Sequence, residues 1–186
     1  MLTIRNETQA DRQAVEEITR RAFYNIYAPG CVEHYLVHIM RDHPDFIPAL
    51  DLVAELDGQV IGNVMYTKAT LTGGDGTVKE ILTFGPVSIA PEHQRKGYGG
   101  QLLTHSFQRA AEPANYVGLG FKSCRRFNVC LEGGRFPSAM LVKELREGAL
   151  DGQSWVYRDS PVMAIDQEAA RRYDDTLEPM EKEYRP

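Results

Sequence analysis

The chain has 186 residues, 42% hydrophobic and 25% charged, a globular balance that suits one domain and leaves little room for two. Its 21 Lys and Arg against 26 Asp and Glu give a formal charge of -5, which argues against the basic face that phosphate-driven nucleic-acid binding needs. No apolar run approaches the ~18 residues of a membrane span. Met1 to Asn6 lacks the basic and apolar blocks of a secretory signal. The three cysteines, Cys31, Cys124 and Cys130, have no CxxC spacing, so a disulfide framework is excluded and reduced thiols in the cytoplasm are expected.

Leu2 to Arg5 alternates as a short first strand. Thr8 and Asp11 resemble a capping box for a helix running to Phe23, with Val15, Ile18 and Ala22 on one face. After a turn at Asn25 to Gly30, a second helix is expected over Val32 to Arg41, ending before His43-Pro44. Leu52 to Leu56, the hairpin dipeptide Asp57-Gly58, and the alternating run Gln59 to Leu71 predict two antiparallel strands. A third strand, Val78 to Ile89, is interrupted by Gly85-Pro86, which predicts a bulge or kink because proline donates no ladder hydrogen bond.

A helix opening near Gly99 carries Leu103, Phe107 and Ala110 on one face. Further on, strands are expected near Phe127 to Leu131, over Ala139 to Leu145 as the clearest late strand, and at Trp155 to Tyr157 on a sheet edge. Asp166 to Leu177 reads as a terminal helix, and Glu178 to Pro186 as a loosely held charged end.

The most informative stretch is Gln94-Arg95-Lys96-Gly97-Tyr98-Gly99-Gly100, between a strand end and a helix start. The first N–H groups of a helix lack internal partners and lie at the positive end of its dipole, and glycine lets the backbone come close to a phosphate. With Arg95 and Lys96 this is an anion site suited to a pyrophosphate. It is not a GxxxxGK[ST] loop, and Leu102 stands where a GxGxxG fingerprint needs its third glycine.

Gln94 to Gly99 does fit the Q/R-x-x-G-x-G/A loop and, with Val87 to Glu92 before it and an amphipathic helix after it, resembles the GNAT superfamily of acetyltransferases. The resemblance covers Leu2 to Leu145, closest in Gly85-Pro86-Val87 and Tyr116 to Phe121 to bacterial small-molecule or peptide N-acetyltransferases. It implies an α/β (α+β) fold: a mixed, mostly antiparallel sheet flanked by helices, with a splayed acetyl-CoA cleft. Residues 1–147 would be the acetyltransferase domain and residues 148–186 an extension packed on it. The loop, Gln94, Arg95, Lys96, Gly97, Tyr98, Gly99 and Gly100, would hold the pyrophosphate of acetyl-CoA. Backbone groups of Val87, Ser88 and Ile89 would meet the pantetheine arm like an added strand. Tyr116-Val117-Gly118-Leu119-Gly120-Phe121 matches Y-x-x-x-G-F, in which the tyrosine protonates the departing thiolate; packing alone is the competing reading of Tyr116.

The same resemblance implies a primary amine of a small molecule or peptide as acceptor, attacked directly without a covalent enzyme intermediate. It implies no metal, no nucleic acid and no membrane, and leaves room for a homodimer. Thr83 stands where the family often carries a general-base Glu. Glu80, three residues earlier, is the available carboxylate, placed on the opposite sheet face unless a bulge intervenes. His34 and His38, at i and i+4, suit either a metal or a polar helix beside the acceptor. Lys122, Arg125 and Arg126 suit either a solvated loop or an anion contact. One departure matters: Arg109-Ala110-Ala111-Glu112 runs directly into Pro113, with no apolar strand before the tyrosine motif. Residues missing from the sequence, and so a break near Glu112 and Pro113, are expected in preference to a true deletion. A true deletion would favour a non-catalytic CoA-sensing or partner-binding module.

Overall fold

The computed structural model describes residues 1–110 and 121–183. Its elements are β1 (Leu2–Asn6), α1 (Arg12–Phe23), α2 (Glu33–Met40), β2 (Leu52–Leu56), β3 (Gln59–Gly73), β4 (Val78–Ile89), α3 (Tyr98–Ala110), β5 (Lys122–Ser123), β6 (Val129–Cys130), β7 (Leu141–Val142), β8 (Trp155–Arg158) and α4 (Gln167–Asp174). Tyr116 and the expected discontinuity at Glu112 and Pro113 lie outside the described residues. No described helix is long and apolar enough to cross a membrane.

Strands β1 to β4 form an antiparallel meander. The β2–β3 turn closes with Asp57 and Gly58 both at positive φ, the conformation a two-residue hairpin demands. β3 is long enough to pair twice along one edge, first with β2 and further on with β8, while β4 covers its other edge. β6 then adds in parallel to β8.

Side chains alternate between two faces of this sheet. Leu52, Ala54, Val64 and Tyr66 pack with Leu102 and Phe107 of α3. Val53 and Met65 pack with Val15 of α1 and Leu36, Val37 and Met40 of α2. The apolar stripes read from the sequence are therefore what seat α1 and α3 on opposite faces. The capping box holds as well: the Thr8 N–H and hydroxyl both donate to Asp11, whose carboxylate also takes two hydrogen bonds from Arg5.

Four expectations need correction. Of Ala139 to Leu145, only Leu141 and Val142 are strand, because their sole strand partner among the described residues is the two-residue β5. Trp155 is on no edge: β8 lies between β3 and β6, and the indole is fully buried with its N–H donated to the Leu150 carbonyl. The segment 127–131 contributes strand only at β6, since Cys124–Phe127 forms a 3-10 turn. Of the expected loose end, Glu178 to Glu181 is tied down. Carbonyls of Glu178, Met180 and Glu181 accept from Arg20, the Tyr24 hydroxyl and Asn25. Charge composition alone hid this, because the partners lie more than 150 residues earlier.

Candidate functional site

The loop forms at the junction the sequence indicated. β4 ends at Ile89, a 3-10 turn spans Pro91–His93, and α3 starts at Tyr98. Gly97 has φ +84°, a left-handed conformation that side chains other than glycine enter at a cost, and its carbonyl receives the Gln101 N–H. A Cβ at Gly97 or Gly100 would meet nothing within 4 Å, so the backbone there is open to solvent. The exposed Arg95 guanidinium has no partner among the described residues, while Lys96 donates to the Glu92 carbonyl. The helix start thus presents unpaired N–H groups beside an uncommitted cation, the electrostatics of an anion cradle.

β4 supplies the second half of the site. Its register with β3 slips so that Val64 faces Val87 but Tyr66 faces Phe84. Gly85 and Pro86 together oppose the single Met65, one residue more than the ladder needs, and the bulge falls where proline can sit without breaking a ladder bond. Beyond the bulge the Ala90 N–H donates to the Ile61 carbonyl, so alternate residues Val87 and Ile89 turn their backbone groups to the other edge. Among the described residues no strand pairs with that edge. The Ile89 carbonyl is instead taken by the Gln94 side-chain amide at 3.0 Å, which ties the loop to the strand. Ser88 points the opposite way; its hydroxyl donates to Thr19 of α1 at 2.9 Å, and Thr19 donates to Asn63. Gly62, across from Ile89, permits this close pairing: a Cβ there would come within 2.6 Å of the Ser88 carbonyl.

The structure therefore sets the free edge of Val87 and Ile89 and the loop Gln94 to Gly100 one after the other, with Ser88 turned away toward β3 and α1. It does not bring Glu80 to them. The bulge follows both Glu80 and Thr83, so these two stay on opposite faces. Glu80 is a largely exposed carboxylate held by Lys68 at 3.2 Å. Thr83 is engaged by a residue the sequence reading passed over: the Tyr157 hydroxyl donates to it at 3.1 Å, and burial raises that phenol well above its ordinary pKa. The alternation of Trp155 and Tyr157 in a short strand was the available signal; its pairing with β3 was not readable.

A cavity of about 1300 Å³ borders the half of β4 that precedes the bulge, lined among others by Ile81, Thr83, Phe84, Phe107, Phe121 and Tyr157. The ring of Phe121, the last residue of the tyrosine motif, lies tilted against Phe107 with centroids 5.0 Å apart and edge-on to Phe84 at 5.8 Å.

His34 and His38 do not converge on a common ligand: fully buried His34 faces Asp174 and half-exposed His38 faces Glu16. Among the described residues no group of three or more His, Cys, Asp or Glu is placed to hold a metal ion. Cys124 and Cys130 are buried, as small apolar-like residues should be. Arg125 lies over the Phe136 ring, 4.7 Å from its centroid.

Known proteins resemble this arrangement. The Acetyltransferase (GNAT) family model matches residues 12–126. The uncharacterized N-acetyltransferase YjhQ of Escherichia coli K12 is 31% identical over 96 residues, 51% of this chain and 49% of its own, so the chain spans about half the length of that curated relative. The GNAT family N-acetyltransferase YhbS of Escherichia coli, solved with CoA, shares the fold with a TM-score of 0.72 at 23% identity, over 88% of this chain and 92% of that one. A GNAT family acetyltransferase of Brucella melitensis, solved with acetyl-CoA, superposes with a TM-score of 0.52 at 25% identity, over 77% and 96% of the two chains.

Proposed function

Since this chain belongs to the GNAT acetyltransferase family, with the family model spanning more than half of it, we propose that it is an acetyl-CoA-dependent N-acetyltransferase acting on a primary amine of a small molecule or peptide. The observation that carries the reading is the outward-turned edge of β4 at Val87 and Ile89, running straight into the helix N-terminus at Gly97 and Tyr98. A pantetheine arm carries amide groups that can pair with such an edge as a strand would, and its pyrophosphate then meets the loop amides and Arg95. The acetyl-CoA complex of the Brucella relative supports this choice of ligand.

In this reading the amine attacks the thioester carbonyl directly. Backbone N–H groups of β4 near the bulge polarise that carbonyl, and fixed geometry supplies much of the rate. Tyr116 donates the proton to the departing thiolate, and water takes the amine proton, since Glu80 is turned away from the groove and held by Lys68. The hold of Lys68 on Glu80 is also the observation that favours the second reading, a CoA-binding module without transfer activity.

Titration calorimetry with CoA tests the site. Gly97→Val should weaken binding at least about tenfold, or ~1.4 kcal/mol, because a β-branched residue resists positive φ. Unchanged affinity in a folded variant overturns the loop assignment. Acetyl transfer to a panel of amines then separates the two readings: CoA binding with no transfer to any amine selects the binding module.

A further inference from the structure

A primary amine of the chain itself lies among the rings beside the bulge of β4. β7 ends at Val142, and the next residue, Lys143, is half-buried. Its ammonium lies over two aromatic faces, 5.0 Å from the centroid of Phe107 and 6.0 Å from that of Phe121. Both rings lie edge-on to Phe84, at 5.6 and 5.8 Å between centroids. Phe84 is the residue directly before Gly85 and Pro86, so this ring cluster runs from the Lys143 ammonium to the point where β4 slips its register. Lys143, Phe84, Phe107 and Phe121 all border the cavity of about 1300 Å³, together with Thr83 and Tyr157. A ring face attracts a cation through its quadrupole, which lets an ammonium lie against an aromatic wall.

The other lysines are placed differently. Lys79 borders the same cavity, but it donates to the Ala149 carbonyl, pairs with Asp151 and lies over Trp155. Lys68 pairs with Glu80, Lys96 donates to the Glu92 carbonyl and Lys182 pairs with Asp174. Lys122 is exposed in β5. Lys143 is the lysine whose ammonium lies on rings that reach the bulge.

We propose that Lys143 is an acceptor in cis: acetyl-CoA bound along the free edge of β4 and the loop acetylates the ε-amine of its own chain. The inference rests on the transfer reading given above and adds a named amine to it. The ammonium first gives a proton to water, since the protonated form has no lone pair. The neutral nitrogen then attacks the thioester carbonyl carbon, and an N–C bond forms. As the tetrahedral centre collapses the C–S bond breaks, the nitrogen gives up a second proton to water, and the CoA thiolate takes one up. The products are an amide at Lys143, free CoA and one proton, with no other reactant consumed. The flexible stem of the lysine lets its nitrogen swing from the ring faces toward the bulge. Amine and thioester held in one molecule react in a unimolecular step, without an encounter. Acetylation removes the charge, and with it the attraction to the rings.

The test incubates the native chain with acetyl-CoA and follows acetylated peptides by mass spectrometry. Lys143 should be modified at least about tenfold faster than any other lysine. The rate per molecule should not depend on protein concentration, and excess free CoA should suppress it. Lys143→Arg keeps the cation and should remove the fast modification. Labelling no faster at Lys143 than at Lys68, or labelling that persists under excess CoA, is ordinary chemical acetylation and overturns the proposal. A rate that rises with protein concentration marks transfer between molecules and overturns it too. Calorimetry with CoA and transfer to added amines, run on the same preparation, keep the two readings apart. CoA binding without acetylation of Lys143 overturns this inference, and transfer to added amines in that case leaves the N-acetyltransferase reading standing. Absence of CoA binding overturns both.

Discussion

The two faces of the central sheet are held by different physics. Toward α3 the contacts are aromatic and aliphatic: Tyr66, Phe84, Phe107 and Phe121 form a connected ring cluster, and one buried polar pair, the Tyr66 hydroxyl with Ser106 at 2.7 Å, joins sheet to helix. Toward α1 and α2 the apolar layer is pinned by buried charge. Arg41, only 4% exposed, donates to Glu7 at 2.8 Å and Glu16 at 2.6 Å, and Arg20 reaches Asp174. Burial alone would raise Glu16, but hydrogen bonds from Tyr173 and Arg41 win and hold it below the usual carboxylate range. The first face should hold its strength at any pH, while the second depends on protonation.

The sharpest break of that comparison is a pair of truncations. Phe107→Ala should cost about 3–5 kcal/mol by urea unfolding, as core aromatics do. Arg41→Met should cost about as much at pH 7, because it strands two buried carboxylates. Only the second loss should shrink toward pH 4, where Glu16, freed from the hold of Arg41, can take a proton. Parallel pH dependence of the two variants would erase the distinction.

Asp51 gives a finer test. Burial, with Glu7 close by, raises its carboxyl to about 8, against a lowering by Arg41. Between its unfolded value near 3.8 and about 8 the folded state holds the extra proton, so the stability Asp51 contributes is lost as pH rises through this window. His34, depressed to about 4, acts with the opposite sign, destabilising as pH falls from 6.5 toward 4. From pH 6.5 to 8 the Asp51 effect therefore stands by itself. The parent's melting temperature should fall across that interval, by the equivalent of roughly 1–2 kcal/mol. Asp51→Asn should flatten the fall; an equally steep variant would place the titration elsewhere.

The smallest expected effect is on the α3 face. Ser106→Ala leaves the buried Tyr66 hydroxyl without its partner and should cost about 1–2 kcal/mol, with no pH dependence between 5 and 9. A cost that varied with pH over that range would mean that the aromatic face has a titrating group of its own.

The same division governs what could be read from the sequence. α1, α3 and the meander announce themselves through periodicity and Asp57-Gly58, because their burial pattern is local. The loop at Gln94 to Gly100 is legible for the same reason: its chemistry lies within one short segment. Arg20 could be seen on α1, yet its carboxylate partner Asp174 is 154 residues away and joins through a helix the sequence placed without a partner. Tyr157 and the buried setting of Trp155 escaped because strand position depends on which neighbour pairs with which edge. The expected strand at Ala139 to Leu145 had hydrophobicity enough but too short a partner.

The hydrogen bonds from Arg20, Tyr24 and Asn25 to carbonyls near the chain's end bear on the order in which the protein can be made. The α1–α2 pair leaves a ribosome well before α4, yet the buried Arg20 guanidinium finds its counter-charge, Asp174, and its acceptor, the Glu178 carbonyl, only when those residues have been synthesised. Contacts across more than 150 residues close late and slowly. During translation that corner stays open and exposed to protease or chaperone, and a chain cut short after β8 would never shut it.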